Sequence, residues 1–153
     1  MDNFQILCTL RDVNSSLDVF PSDLLPSSRP ILKPCTHINA GPHKEGCSHR
    51  LAIRLTRLSS SAYYFDSYGI ISFVPSIQAL LRRNCTTWEY NKKQLKGLTS
   101  KFCGQYYCLF ALYMDRGYTP HQFIALFDGR SNADRQVTQW FASEFGAILP
   151  RGG

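Results

Sequence analysis

The stretch that most constrains the fold is Ser100-Lys101-Phe102-Cys103-Gly104-Gln105-Tyr106-Tyr107-Cys108-Leu109, with the Phe110, Leu112 and Tyr113 that follow it. Small and polar residues lead into an apolar spacing that buries one side of a helix, so Cys103 is expected at a helix N-terminus. Unpaired backbone N–H groups and the macrodipole favour an anion there, which lowers a thiol pKa and makes thiolate available near neutral pH. Gly104, lacking a Cβ, lets a substrate carbonyl come close to the backbone, where the Cys103 amide is placed to bind an oxyanion. The same residues also read as packing, since free cysteine is among the most buried residue types and Cys103 and Cys108 are then two thiols of a core helix. Cys108 lies five residues beyond Cys103, off the spacing that shares a helix face, and reads as packing in either case.

Upstream, Leu51, Ile53 and Leu55 alternate with Ala52, Arg54 and Thr56, the period of a half-buried strand. Ser59-Ser60-Ser61 turns the chain, and Ala62-Tyr63-Tyr64-Phe65-Asp66 returns as a second strand ending at Ser67-Tyr68-Gly69. Residues flanking a hairpin pair across the ladder, so His49, before the first strand, is expected beside Asp66, at the end of the second. Pro75 suits the first turn of a helix with Ile77, Leu80 and Leu81 on one face and Arg82-Arg83 at its negative end. Residues 85–90 read as a third strand and 91–100 as a basic loop leading to Cys103. Thr119-Pro120 caps a helix carrying Phe123, Ile124 and Phe127, and Asn132 caps a last one through Val137, Trp140, Phe141 and Phe145 to Gly146. Phe4, Ile6, Leu7 and Leu10 read as a short strand or a turn of helix, the prolines from Pro21 to Pro34 exclude long regular structure, and residues 1–34 as a whole read as an irregular N-terminal wrap, with the tail 150–153 frayed. Tyr68 and Trp88 read as core or cleft wall, and His121 as a surface residue. The sum is an α+β fold, a small and mostly antiparallel sheet packed by helices, in a single domain spanning 1–153.

Composition narrows the function. A chain of 153 residues that is 44% hydrophobic and 13% aromatic has a real core and is not a disordered segment. No apolar run approaches the roughly 20 residues that span a bilayer, and Met1-Asp2-Asn3-Phe4 lacks the basic and apolar regions of a signal peptide, so the expectation is an intracellular protein, cytoplasmic or nuclear, with no membrane partner. In that compartment the six cysteines are thiols or ligands rather than disulfides. A net charge of +6, carried by scattered basic residues without a nucleic-acid motif, suits non-specific DNA contact through a basic surface. Cys35, His37, His43, Cys47 and His49 offer more than the four ligands of a tetrahedral zinc site, but their spacing fits no familiar knuckle or finger. They read either as a zinc-stabilised structural domain or as a loop in which one histidine matters. No Asp/Glu cluster or glycine-rich phosphate loop points to a metal-dependent hydrolase or a nucleotide enzyme, and no cofactor is expected.

Taken together, a histidine before one strand, an aspartate ending its hairpin partner and a cysteine opening a later helix are the three roles a cysteine peptidase requires: base, orienting carboxylate and nucleophile. The order His49, Asp66, Cys103 has around it Ser48-His49, Tyr64-Phe65-Asp66-Ser67-Tyr68-Gly69, Tyr90-Asn91 and Phe102-Cys103-Gly104-Gln105-Tyr106. These motifs resemble the adenovirus protease (adenain) family, and most closely the proteases of Maverick/Polinton DNA transposons, from about Val19 to about Phe145. The resemblance implies an α+β fold shared with the SUMO-specific proteases and a thiol endopeptidase that processes capsid and other virion precursors, some members being stimulated by DNA. It also implies His49 as general base, Asp66 as its orienting partner and Cys103 as nucleophile. The chain departs from the family at Arg50, where a Trp usually follows the histidine, and at Lys96, where a Gln usually supplies an oxyanion-hole donor; Gln94 is the nearest glutamine, and residues 37–48 are shortened. Those departures motivate the alternative of a catalytically weakened or inactive descendant acting as a binding module.

Overall fold

The computed structural model describes residues 3–13, 17–21, 35–39, 49–56, 59–70, 75–97, 99–130 and 132–146. In chain order they form α1 (Asn3–Thr9), β1 (Leu17–Pro21), β2 (Cys35–Asn39), β3 (Arg50–Thr56), β4 (Ser61–Asp66), α2 (Pro75–Asn84), β5 (Thr87–Tyr90), α3 (Cys103–Asp115), α4 (Pro120–Ala125) and α5 (Asp134–Phe145). The α+β class expected from the sequence is the class observed. The five strands form one sheet in sequential order. Its centre is antiparallel, β2 with β3 and β3 with β4, and its flanks are parallel, β1 with β2 and β4 with β5. The parallel flank at β5 follows from its connection, because a chain that crosses over through a helix such as α2 re-enters the sheet in its original direction.

Side-chain alternation sorts the two sheet faces. Leu51, Ile53 and Leu55 of β3 and Ala62 and Tyr64 of β4 join Ile77, Leu80, Leu81 and Cys85 on the α2 side. Ala52, Tyr63 and Phe65 point the other way, into the core built on α3 with α1, α4 and α5. β3 is therefore covered on both faces, whereas its alternation predicts one solvated face; helices on opposite sides of the sheet account for the difference. The second core is aromatic. Phe65 and Phe110 stack at 4.5 Å between centroids, and Phe123 meets both rings edge-on. Such arrangements are favourable beyond the area they bury.

α3 is the axis of the molecule. Residues 104–111 are all buried, including Gln105, because the sheet lies on one side of the helix and the other helices close the rest. The spacing of Leu109, Phe110, Leu112 and Tyr113 predicts a single buried face, and the tertiary environment enlarges it. The caps follow their local chemistry: Thr119 and Gln122 form a reciprocal capping box with Pro120 at the first turn. The Asn132 side chain accepts from the Asp134 amide at 3.0 Å, while Ala133 occupies the formal cap position. Gly146, at φ 77°, ends α5.

Two elements fall inside the stretch expected to be irregular. α1 sends Ile6 into the α3 core, with Leu10 and Val13 just beyond it, and β1 pairs with β2. β2 itself occupies positions read as part of a loop; its pairing with β3 supplies the order that Cys35-Thr36-His37-Ile38-Asn39 does not signal locally. The rest of the proline-rich stretch, the His43 and Cys47 positions and the tail lie outside the described residues. Among the described residues no helix is long and apolar enough to cross a membrane.

Candidate active site

The β3–β4 register pairs Leu51 with Asp66, so the residue entering β3 two positions earlier comes beside the carboxylate. His49 Nε2 lies 2.5 Å from Asp66 Oδ1. That carboxylate is held from several directions. Its Oδ1 also accepts from the Tyr68 amide at 2.7 Å, and its own backbone is clamped by Asn91, whose Oδ1 accepts from the Asp66 N–H at 2.9 Å and whose Nδ2 donates to the Asp66 carbonyl at 2.5 Å. The turn then closes with Gly69 donating to the Asp66 carbonyl at 2.8 Å. Gly69 has φ +69°, and a Cβ there would meet the Lys93 backbone at 2.6 Å, so a side chain is excluded both by conformation and by space.

The same corner holds the loop that follows β5. The Leu95 and Lys96 amides both donate to the Ser67 carbonyl, and the Tyr106 hydroxyl of α3 lies 2.9 Å from the Leu95 carbonyl. Lys96 is thereby fixed in the interior. It is 1% exposed, with Nζ 3.7 Å from the centroid of the Tyr68 ring, and that ring in turn lies 4.6 Å from the His49 ring. Tyr68 thus lies between Lys96 and His49.

Cys103 is the first residue of α3. The Gln105 and Tyr106 amides turn back to the Phe102 carbonyl, which leaves the Cys103 and Gly104 N–H groups without such a partner among the described residues. Burial pushes the Cys103 thiol up, but contact with the His49 imidazole and the positive charges of Lys96, His49 and Arg50 outweigh it and bring the pKa down to about 7. For His49, burial favours the neutral ring. The hydrogen bond to Asp66, the contact with Cys103 and the Asp66 charge prevail over burial and over repulsion from Lys96, and the pKa is raised. With Nε2 engaged by Asp66, the buried Nδ1 is the nitrogen left to face the thiol. No well-aligned hydrogen bond forms there among the described residues, the loose contact expected of an unliganded thiol–imidazole pair. Such a pair can exchange a proton and present a thiolate at neutral pH.

The structure brings His49, Asp66, Cys103 and Lys96 together and leaves the Gln94 side chain apart from them. Gln94 is exposed, and its side-chain amide donates to the Lys96 carbonyl at 2.8 Å. Arg50, at the position after the histidine, is 3% exposed and acts on Cys103 through its charge. Cys108 is packing, fully buried with its thiol pushed up by desolvation. Trp88 lies on the exposed edge strand β5. His121 pairs with Glu89 at the surface. Of the five candidate zinc ligands, His49 is committed to Asp66. Cys35 and His37 fall on β2, where only the backbone is described, and among the described residues no cluster of metal-ligating side chains occurs. Sequence reasoning missed Asn91 as the clamp on Asp66. The available signal was an asparagine directly after a strand, a residue type that seldom tolerates burial unless both ends of its amide are satisfied.

No protein-family model matches the chain, and no curated protein matches it. Among solved structures it is similar to the ASFV pS273R protease, crystallised in selenomethionine form. The TM-score is 0.50 and the identity 16%, over 76% of this chain and 46% of that one. The chain thus spans just under half the length of that protein. At this identity the likeness is one of fold: the chain has the α+β fold of a crystallised protease, of the SUMO-protease-like kind that the resemblance implied.

Proposed function

We propose that the chain is a thiol endopeptidase of the adenain type, with Cys103 as nucleophile, His49 as general base and Asp66 as the carboxylate that orients the imidazole. What supports the reading is one observation: side chains from the entry to β3, the end of β4 and the start of α3 meet, with the thiol and the imidazole adjusting each other's proton affinity. In the reaction His49 Nδ1 takes the thiol proton and the thiolate attacks the scissile carbonyl carbon. The resulting oxyanion is received by the free amides at the start of α3, with the Cys103 N–H foremost, and by Lys96 on the other side. Collapse expels the amine, which takes the proton back from the imidazolium, and leaves a thioester. Water, deprotonated by the same ring, then attacks the thioester carbonyl, and collapse breaks the C–S bond, releasing the acid and returning the Cys103 thiolate beside the protonated imidazole. Asp66 keeps the N–H on Nε2, so that Nδ1 is the basic nitrogen throughout.

The substrate is a protein, and the family resemblance points to virion or capsid-type precursors of an adenovirus-like transposable element or virus, met inside the cell, with non-specific DNA contact through the basic surface. A second reading, a weakened descendant that binds without cutting, is favoured by Lys96 standing where a neutral amide donor is usual. A peptide library and a thiol-reactive peptide probe, applied to the unmodified chain, Cys103→Ala and His49→Ala, test the assignment. Both substitutions are expected to lower cleavage by roughly a thousandfold or more. Equal cleavage and labelling in all three proteins refutes it, and labelling without cleavage in the unmodified chain selects the second reading.

A further inference from the structure

Lys96 is a buried cation with an unusual setting. It is 1% exposed, and among the described residues it forms no ion pair with a carboxylate; the contact it makes is with the face of Tyr68, at 3.7 Å. A charge taken out of water needs compensation, and a ring quadrupole supplies only part of it. What remains within its field is the catalytic pair. The Lys96 charge acts on both Cys103 and His49, favouring thiolate on the first and disfavouring imidazolium on the second. The other charged groups facing the thiol are His49 and Arg50 from the entry to β3, with Asp66 acting through the imidazole. The mounting is rigid. The Lys96 amide is tied to Ser67, its carbonyl receives the Gln94 side chain, and its ammonium sits on a ring that also flanks His49.

We propose that Lys96, seated on Tyr68, is a fixed counter-cation of the Cys103 thiolate, a positioning charge that acts on the resting enzyme before substrate arrives, in addition to any donor role at the oxyanion. The proposal rests on the reading of Cys103 as the nucleophile. It gives the site a second source of positive charge besides the imidazolium, so the thiolate persists when His49 loses its proton.

The test is iodoacetamide alkylation of Cys103 in the folded chain, followed by peptide mass spectrometry across the pH range, a readout independent of cleavage. Lys96→Met is expected to move the alkylation midpoint up by about one pH unit or more, the size of effect one nearby charge exerts. Lys96→Arg, which keeps the charge, should stay near the unmodified chain, and Tyr68→Leu should move the midpoint up by less than Lys96→Met. An unmoved midpoint in Lys96→Met, with only cleavage weakened, overturns the proposal and leaves Lys96 a hydrogen-bond donor. Should Lys96→Met fail to fold, an unmoved midpoint in Tyr68→Leu overturns it equally. A midpoint already at the value of an ordinary thiol in the unmodified chain defeats the nucleophile assignment itself, a result distinct from either.

Discussion

Cys103 and Cys108 stand on the same helix, and their thiols move in opposite directions. The first falls to about 7 although burial opposes it; the second is pushed up by a desolvation that the Arg50 charge offsets only in part. Both feel Arg50. The difference is the His49 and Lys96 pair, which reaches the first residue of α3 and not the sixth, together with the exposure of the helix end. Residue type and helix membership therefore say little about reactivity here; what matters is which other segments converge on the sulfur.

The largest effect that tests this contrast is differential reactivity. In the folded chain at neutral pH, alkylation of Cys103 should outrun that of Cys108 by at least about a thousandfold, because Cys108 is reached only through opening of the core. Comparable rates, measured by peptide mass spectrometry, break the comparison. A sharper probe leaves both cysteines in place and loosens the corner that feeds one of them. Asn91→Ala strips the partners from the backbone N–H and carbonyl of Asp66, costing about 2 kcal/mol of stability and, through misplacement of the His49–Asp66 pair, roughly a hundredfold in turnover. If denaturant titration shows the stability loss while turnover is unchanged, Asn91 supports the fold and not the site. The smallest effect comes from the inert thiol. Cys108→Ala should cost about 1 kcal/mol and lower the melting temperature by a few degrees, leaving the alkylation profile of Cys103 where it was. A shifted profile would couple the two sulfurs that the structure separates.

Much of the scaffold was legible before any coordinates. The β3–β4 hairpin, the start of α2 at Pro75, the capping box at Thr119 and the stop at Gly146 are written in local signals, since alternation, caps and breakers act over a few neighbouring residues. The hairpin alone predicts that His49 and Asp66 are neighbours, and a cysteine at a helix start is enough to nominate Cys103. Other features were not legible. At α1 the apolar Phe4, Ile6, Leu7 and Leu10 suit a short strand as well as a turn of helix, and β1 runs into the proline-rich stretch at Pro21. β2 is ordered by a partner strand rather than by its own pattern, and the parallel entry of β5 depends on where α2 packs.

The sequence by itself determined the local elements and the three residue types that a thiol peptidase needs, because helix spacing, strand alternation and turn chemistry are short-range properties of the chain. Only the tertiary structure decided that α3 is buried all round, that Asn91 grips the Asp66 backbone, that Gln94 is spent on a carbonyl, and that Lys96 lies on Tyr68 beside His49. Those outcomes depend on which distant segments share a small volume, where desolvation and charge act across space, and no pattern along the chain encodes distances between residues dozens of positions apart.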